Sequence, residues 1–546
     1  MLRRKFIRGT IQGTALGSLL SVTGLSSCAT EQKENASQEA KNSISPFELE
    51  EITVKELQAG MESGKYSARS IAELYLKRID EIDKNGPKLN SVIELNPDAL
   101  SIADQMDKER SDGKLRGPLH GIPIMIKDNI DTGDNMQTTA GALALAGSKA
   151  KEDAYIIKKL REAGAVLLGK LNLSEWANFR STRSSSGWSG RGRQTRNPYI
   201  LDRNPCGSSA GSGAAVSANL CAITIGTETN GSIVCPSSTN GIVGIKPTVG
   251  LWSRSGIIPI SHTQDTAGPM ARTVADAAAL LGPLTGVDTK DAVTQNSKGK
   301  SHQDYTQFLK ADGLKGKRLG VLRENMGFHE KVDEVLEQAF EIMKAQGAEI
   351  VDPVELKTSR EYGQAGFQVL LYEFKDGVNK YLAGLGEAAP VKNLAEVIEF
   401  NKQNAAQSMP YFQQEILEMA EEKGDLESPE YKEALETILK ISREEGIDAT
   451  IAEHNLDAII APTGGPSWPI DVINGDHFGG GSSTPAARSG YPNITVPAGY
   501  VHGLPVGISI FSTVYKEPEL IAMAYAFEQA SNVRKSPKFL PTLEMV

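Results

Sequence analysis

A serine hydroxyl becomes a useful nucleophile only with a base beside it, and this sequence supplies the pair without histidine. Ser232 closes the loop Thr227-Glu228-Thr229-Asn230-Gly231-Ser232, at the carboxyl end of the short β-branched run Ala222-Ile223-Thr224-Ile225. Ligands of open α/β sheets bind at that end of a strand. The nearest histidines are His262, thirty residues on, and His120, far upstream. The alternative base is a lysine. Lys127 ends the apolar run Gly121-Ile122-Pro123-Ile124-Met125-Ile126, which sets a lone cation at the end of a second buried strand beside Asp128 and Asn129. Between the two strands lies Cys206-Gly207-Ser208-Ser209-Ala210-Gly211, a turn that leads into the small-residue run Ala214 to Leu220. Thin side chains of that kind let a helix press against neighbouring backbone.

The segments GIPIMIKDN, CGSSAGS, GTETNGSIVCP and NGIVGIKPTVG, continued by Asp265 to Asp276 and by HGLPVGISI near the end, together resemble the amidase signature family. The resemblance covers nearly all of the chain after about residue 46. Within the family it is nearest to the peptide amidase branch, through RSSSGWSGRGRQTRNPY (Arg183 to Tyr199), GTETNGSIVCP and STPAARSGYPNITVP. It implies an α/β fold with a mixed central β-sheet covered by helices on both faces. It also implies a catalytic triad of Ser232, Ser208 on a cis peptide bond, and Lys127, the serines standing 24 positions apart as in family members. Ser232 would attack the amide carbonyl, Ser208 would relay its proton and a neutral Lys127 would receive it. Neutrality near pH 7 requires the lysine to fall roughly three pKa units from about 10.4, at a cost of about 4 kcal/mol. Burial behind the GIPIMI strand can supply that shift.

The resemblance assigns the oxyanion hole to the backbone N–H groups of Thr229, Asn230, Gly231 and Ser232. Here the sequence departs from the commonest form, with Asn230 in place of a glycine and Glu228 in place of an aspartate. Asparagine tolerates the left-handed conformation, so the loop is expected intact. Ser185 and Trp188 are candidate substrate contacts, although Trp188 and its serines read equally as a packed aromatic loop. His262 and Asp265 read as loop-fixing hydrogen-bonders. Any one of these motifs alone has a bland reading: a Gly/Ser turn before a helix is usually packing, and CGSSAGSG lacks the GK[ST] ending of a phosphate loop. Their combination at family spacing points to chemistry.

The remaining composition narrows the setting. Of 546 residues, 40% are apolar and 23% charged, the balance of an ordinary globule, and no segment after the leader is apolar enough to span a bilayer. A net charge of −10 without a long basic run argues against a nucleic-acid partner. Cys206, Cys221 and Cys235 lack the paired spacing of a zinc site and read as small core residues, with room for one disulfide among them. No metal or cofactor is expected. Residues 1–28 read as an export signal: Arg3-Arg4 begins it, as in a twin-arginine or plain basic leader, and Leu25-Ser26-Ser27-Cys28 ends it like a lipoprotein processing site, with Cys28 acylated. Residues 29–45 are too polar to pack and read as a disordered tether, so the expected membrane contact is the lipid alone.

Residues 46–546 form the expected amidase domain, with alternating strand and helix patterns and a helical elaboration at about 285–455 that holds a β-α-β element at Arg318 to Val351. The run Gly479 to Ser483 reads as a site-lining turn or as a linker. The leading function is an exported, envelope-anchored amidase that releases ammonia from a carboxamide, acting on the C-terminal amide of peptides. The alternatives are a broad amidase for small or fatty amides, or a non-catalytic solute-binding lipoprotein that keeps the fold. Export argues against the transfer-RNA amidotransferase role known in the family. Oligomeric state leaves no mark in the sequence.

Overall fold

The computed structural model describes residues 46–386 and 389–544; the segments read as export signal and tether, with Cys28, lie outside them. From Phe47 onward the chain makes one compact unit. Its centre is an 11-stranded mixed sheet. In chain order the strands are β1 (Val92–Leu95), β2 (Pro123–Lys127), β3 (Val166–Leu171), β4 (Ile223–Glu228), β5 (Val243–Lys246), β6 (Thr266–Ala271), β7 (Arg318–Leu322), β8 (Glu349–Val354), β9 (Ala458–Pro462), β10 (Asn493–Val501) and β11 (Leu504–Phe511). Their spatial order is β1-β3-β2-β4-β6-β5-β10-β11-β9-β7-β8. The sheet is flanked by helices, and every residue of β2, β3, β4 and β11 is buried. Strands covered on both faces carry continuous rather than alternating apolar sequence, which is why PIMIK and ITIGTE show no period of two.

The pairing of β2 with β4 places the chemistry. The two strands are parallel, with Ile124 opposite Ile223 and Ile126 opposite Ile225. This register carries Lys127 and the Thr227 to Ser232 loop to the same end of the sheet. Between the β3 and β4 segments the chain forms the helix Ala210–Ser217, all of whose residues are buried. Its composition is dictated by how closely it is pressed. A Cβ added to Gly211 would stand 2.4 Å from the Asn172 carbonyl oxygen and 2.5 Å from that of Ser91. Backbone cannot yield at such distances, so the position admits only glycine.

Upstream, Thr53 and Glu56 form a capping box at the start of the helix Val54–Glu62. The following helix, Ala68–Ile79, buries Ile71, Tyr75 and Ile79, while Leu74 is half-buried and Ile82 lies buried one turn beyond. The strand β1 begins only at Val92, because Asn90 has φ +56° and leaves the extended region.

The elaboration holds the β-α-β element expected at Arg318 to Val351. Its β-α-β element contributes β7 and β8 to the main sheet, β7 running parallel to both β8 and β9. The rest is helical. The long helix Gly363–Leu385 buries Leu370, Phe374, Val378 and Leu382 in a cluster with Trp176, Phe179, Ile258 and Ile260. Those four partners belong to loops after β3 and before β6, so the helical layer rests on segments that flank the site.

Candidate active site

Lys127 is fully buried, and four oxygen contacts surround its amine. Nζ lies 2.7 Å from Ser208 Oγ, 3.1 Å from Ser209 Oγ, 2.8 Å from Thr227 Oγ1 and 3.1 Å from the Thr227 carbonyl. Among the described residues no carboxylate joins this shell. Burial therefore pushes the ammonium down to about 7, against the opposing pull of Asp265 and Glu228 from farther away. A neutral amine is thus available near pH 7, and its lone pair faces hydroxyl groups.

The Ser208 turn is held by backbone. The Gly207–Ser208 peptide is cis, and the Ser208 carbonyl accepts the Ser174 N–H at 3.1 Å. Gly207 is required by proximity, since a Cβ there would meet Ser174 Oγ at 2.2 Å. Ser209 supports the lysine from the other side: its hydroxyl donates to the Thr227 carbonyl at 3.0 Å and accepts the Thr227 N–H at 3.2 Å. The Ser209 N–H in turn donates to the Ser232 carbonyl at 3.2 Å, which joins the two serine-bearing loops. The Ser232 hydroxyl makes no hydrogen bond among the described residues and keeps a sliver of exposure.

The loop before Ser232 presents free donors. The N–H groups of Thr229, Asn230, Gly231 and Ser232 donate to no described residue, and Gly231 has φ +83°. Both sequence departures find a physical reason here. Glu228 Oε2 accepts the N–H groups of Ile233 and Val234 at 2.7 and 3.1 Å, capping the helix Val234–Thr239 that follows the loop. Asn230 Oδ1 accepts the Ser483 hydroxyl at 2.8 Å. Asn230 is not left-handed, contrary to the role its tolerance suggested; Gly231 takes that conformation. Asp265 fixes the loop, accepting Thr229 Oγ1 at 2.5 Å and the N–H groups of Ile260 and Ser261. Half-exposed His262 lies 3.4 Å from Glu373, outside the lysine's shell.

A cavity of about 420 Å³ opens on Gly207, Asn230 and Gly231. Ser184 and Ser186 line it, and Ser483 shows that the segment after the glycine run reaches the site. The expected contacts Ser185 and Trp188 do not. Ser185 is buried 3.4 Å from Gln194 Oε1, and Trp188 is buried edge-on to Phe412 at 5.0 Å with Arg180 above it. Alternation along the loop, which turns Ser185 inward between two outward neighbours, was invisible in a run of three serines.

Two supports lay outside the sequence reading, and a third, the disulfide, was open only as to its partners. Ser209 and Thr227 sat inside the recognised motifs, where buried hydroxyls beside a lysine were the available signal. The pairing of Cys206 with Cys235 had no sequence signal beyond the count; the disulfide lies in the cavity wall and ties the Ser208 turn to the helix after Ser232. Cys221 is free and buried. Among the described residues no cluster of His, Cys, Asp or Glu could hold a metal ion.

The Amidase family model matches residues 70–521. The chain belongs to the amidase family. A probable amidase of Arabidopsis thaliana is 41% identical over 505 residues, spanning 91% of this chain and 93% of the relative. A putative amidase of Schizosaccharomyces pombe is 37% identical over 522 residues, spanning 90% and 87%. Among solved structures, the native peptide amidase from Stenotrophomonas maltophilia superposes with a TM-score of 0.87 at 49% identity, covering 90% of this chain and all of that one. This amidase is thus a hydrolase with the mixed, helix-flanked sheet of its relatives.

The disulfide closes a separation of 29 residues, for which chain entropy predicts about 3 to 4 kcal/mol of stability. The double variant Cys206→Ser/Cys235→Ser should lose that amount in denaturant unfolding, and dithiothreitol should bring the wild type to the same midpoint. A wild-type midpoint indifferent to reductant would contradict the pairing.

Proposed function

We propose that this amidase is an exported enzyme that hydrolyses the carboxyl-terminal amide of peptides through an acyl-enzyme on Ser232, with Ser208 as proton relay and Lys127 as base. The observation that carries the reading is the 2.7 Å contact between a wholly buried Lys127 amine and Ser208 Oγ. A neutral amine has one lone pair, and the Ser208 hydroxyl can donate into it. As Ser232 Oγ attacks the carbonyl carbon, its proton passes to Ser208 while the Ser208 proton passes to Lys127. The carbonyl π electrons move onto oxygen, where the unpaired N–H groups of the Thr229 to Ser232 loop receive the charge. When the carbon–nitrogen bond breaks, the departing nitrogen takes the proton back through Ser208 and leaves as ammonia. Water then adds to the ester by the same relay, releasing the carboxylate and restoring the Ser232 hydroxyl.

Ammonia needs little room, so substrate choice falls to the acyl side. The cavity beside Gly207 and Gly231 is walled by Ser184, Ser186, Thr182, Asn178 and Thr484 together with Trp468 and Phe478, and its polar groups suit a peptide main chain better than an alkyl tail. The 49% identity to a peptide amidase structure supports the same substrate class. A fatty-amide enzyme would want an apolar lining, and a solute-binding protein would have no use for a neutral buried lysine. Export is supported by the Arg3-Arg4 to Cys28 segment and by the Cys206–Cys235 disulfide, a bond that persists in oxidising compartments.

Ser232→Ala should cut ammonia release from a dipeptide amide by at least about a thousandfold with the thermal midpoint nearly unchanged; activity above that level would remove Ser232 as nucleophile. Peptide amides should lose only their terminal amide, with internal bonds and Asn or Gln side chains intact. If oleamide surpasses dipeptide amides in kcat/KM, the broad-amidase alternative stands. Cys28→Ala should shift the protein from the membrane fraction to the soluble fraction, and unchanged partitioning would rule out the lipid anchor.

A further inference from the structure

The cavity beside Gly207 and Gly231 is lined by hydroxyls, amides, the disulfide, two aromatic rings and a single ionisable side chain, Asp476. Its carboxylate is held by neutral donors only. Ser186 N–H lies 3.0 Å from both oxygens, and the Ser186 hydroxyl, Asn204 Nδ2 at 3.0 Å and Trp468 Nε1 at 3.1 Å complete the set. Among the described residues Asp476 makes no ion pair; the neighbouring His477 is directed to Asp471 at 3.6 Å. Burial pushes its carboxyl up, opposed by the hydrogen bonds from Ser186 and Trp468 and, least, by the charge of the neighbouring His477.

A half-buried negative charge with no ion pair among the described residues concentrates a field of one sign in the cavity. Trp468 and Phe478, edge to face at 5.7 Å on the same segment, strengthen it, since aromatic faces attract ammonium and guanidinium groups. The charge also stands near the reacting atoms. Ser186 is the link: it donates to Asp476, and a Cβ on Gly207 would fall 3.3 Å from Ser186 Cβ. Ser186 thus lies between Asp476 and the turn that bears Ser208, Asn204 bridges the two by accepting the Cys206 N–H at 2.8 Å, and Trp468 packs with Cys206 and Cys235.

We propose that Asp476 makes this cavity selective for amides that carry an ammonium or guanidinium group close to the scissile carbonyl. The proposal rests on the amidase reading of the same site and names its substrate class. Such a substrate supplies the counter-charge the cavity lacks, while an anionic neighbour to the amide is repelled. Once hydrolysis is complete, the new carboxylate stands beside a group of its own sign, which favours its departure. The cation can belong to the side chain of the amide-bearing residue or to the free α-amine of a short peptide amide.

The test is a panel of purified amides. N-acetyl-lysine amide and N-acetyl-arginine amide are compared with N-acetyl-norleucine amide, which has nearly the same shape without charge, and with the α-amide of N-acetyl-glutamate. Glycyl-norleucine amide is compared with its N-acetylated form. For the full-length wild type, at least one cationic member should exceed its neutral partner about tenfold or more in kcat/KM, the glutamate derivative should be slowest, and the ratio should shrink as salt is raised. The pair that responds identifies the source of the cation. Asp476→Asn should bring the ratio toward one, whatever the absolute rates; should that variant not fold, the wild-type ratio and its salt dependence decide. Equal rates on charged and neutral members overturn the proposal while leaving the amidase reading in place, as does a cation preference that Asp476→Asn retains. Release of ammonia from none of them overturns the amidase reading itself.

Discussion

An amine taken out of water governs this molecule. Lowering the Lys127 pKa from 10.5 to about 7 costs about 5 kcal/mol of charge stabilisation, which the rest of the fold must offset. It does so with a strand buried along its whole length, a parallel neighbour in fixed register, and hydroxyl and carbonyl oxygens in place of a counter-ion. A carboxylate in contact with Nζ would relieve the cost and also restore the charge, which would remove the base. Asp265 and Glu228 are kept one step back for that reason: Asp265 binds Thr229 and the backbone at 260 and 261, and Glu228 caps a helix. Both carboxylates shape the loop around the amine without pairing with it.

Close approach is the second constraint, and it explains the unusual composition of the central stretch. The Ser208 turn, the helix Ala210–Ser217 and the Ser232 loop are packed so tightly that Gly207, Gly211 and Gly231 each lack room for a side chain or adopt a conformation that disfavours one. The disulfide and the Ser209–Ser232 backbone contact then fix the two serine loops to each other. Precise placement of hydroxyl groups matters because proton relay depends on contacts of hydrogen-bond length.

Much of this was readable from sequence because the relevant signals are local. A lysine ending an apolar strand, a glycine-serine turn entering a small-residue helix, and a polar loop after a second strand each state where the chain must go. The β-α-β element at Arg318 to Val351 was legible through its change of period, although not that its strands would extend the main sheet. What stayed hidden depends on partners distant in the chain. The loop of Ser185 and Trp188 read equally as substrate contact or as a packed aromatic loop, and only the distant partner Phe412 of the helical layer, against which Trp188 is buried, decides for packing. Asp476 is 290 residues from Ser186, and no local pattern connects them. The choice among three cysteines is likewise a matter of tertiary distance.

The neutral buried amine is tested most directly by the pH dependence of kcat/KM on a dipeptide amide, whose own groups can be chosen not to titrate near neutrality. Only unprotonated Lys127 can accept the Ser208 proton, and its fraction grows as pH rises through the shifted pKa. The account therefore predicts a rate that falls about tenfold per pH unit below about 7 and levels off above it. A rate that stays flat down to pH 5 would contradict the account, since at that pH a lysine titrating near 7 is almost wholly protonated.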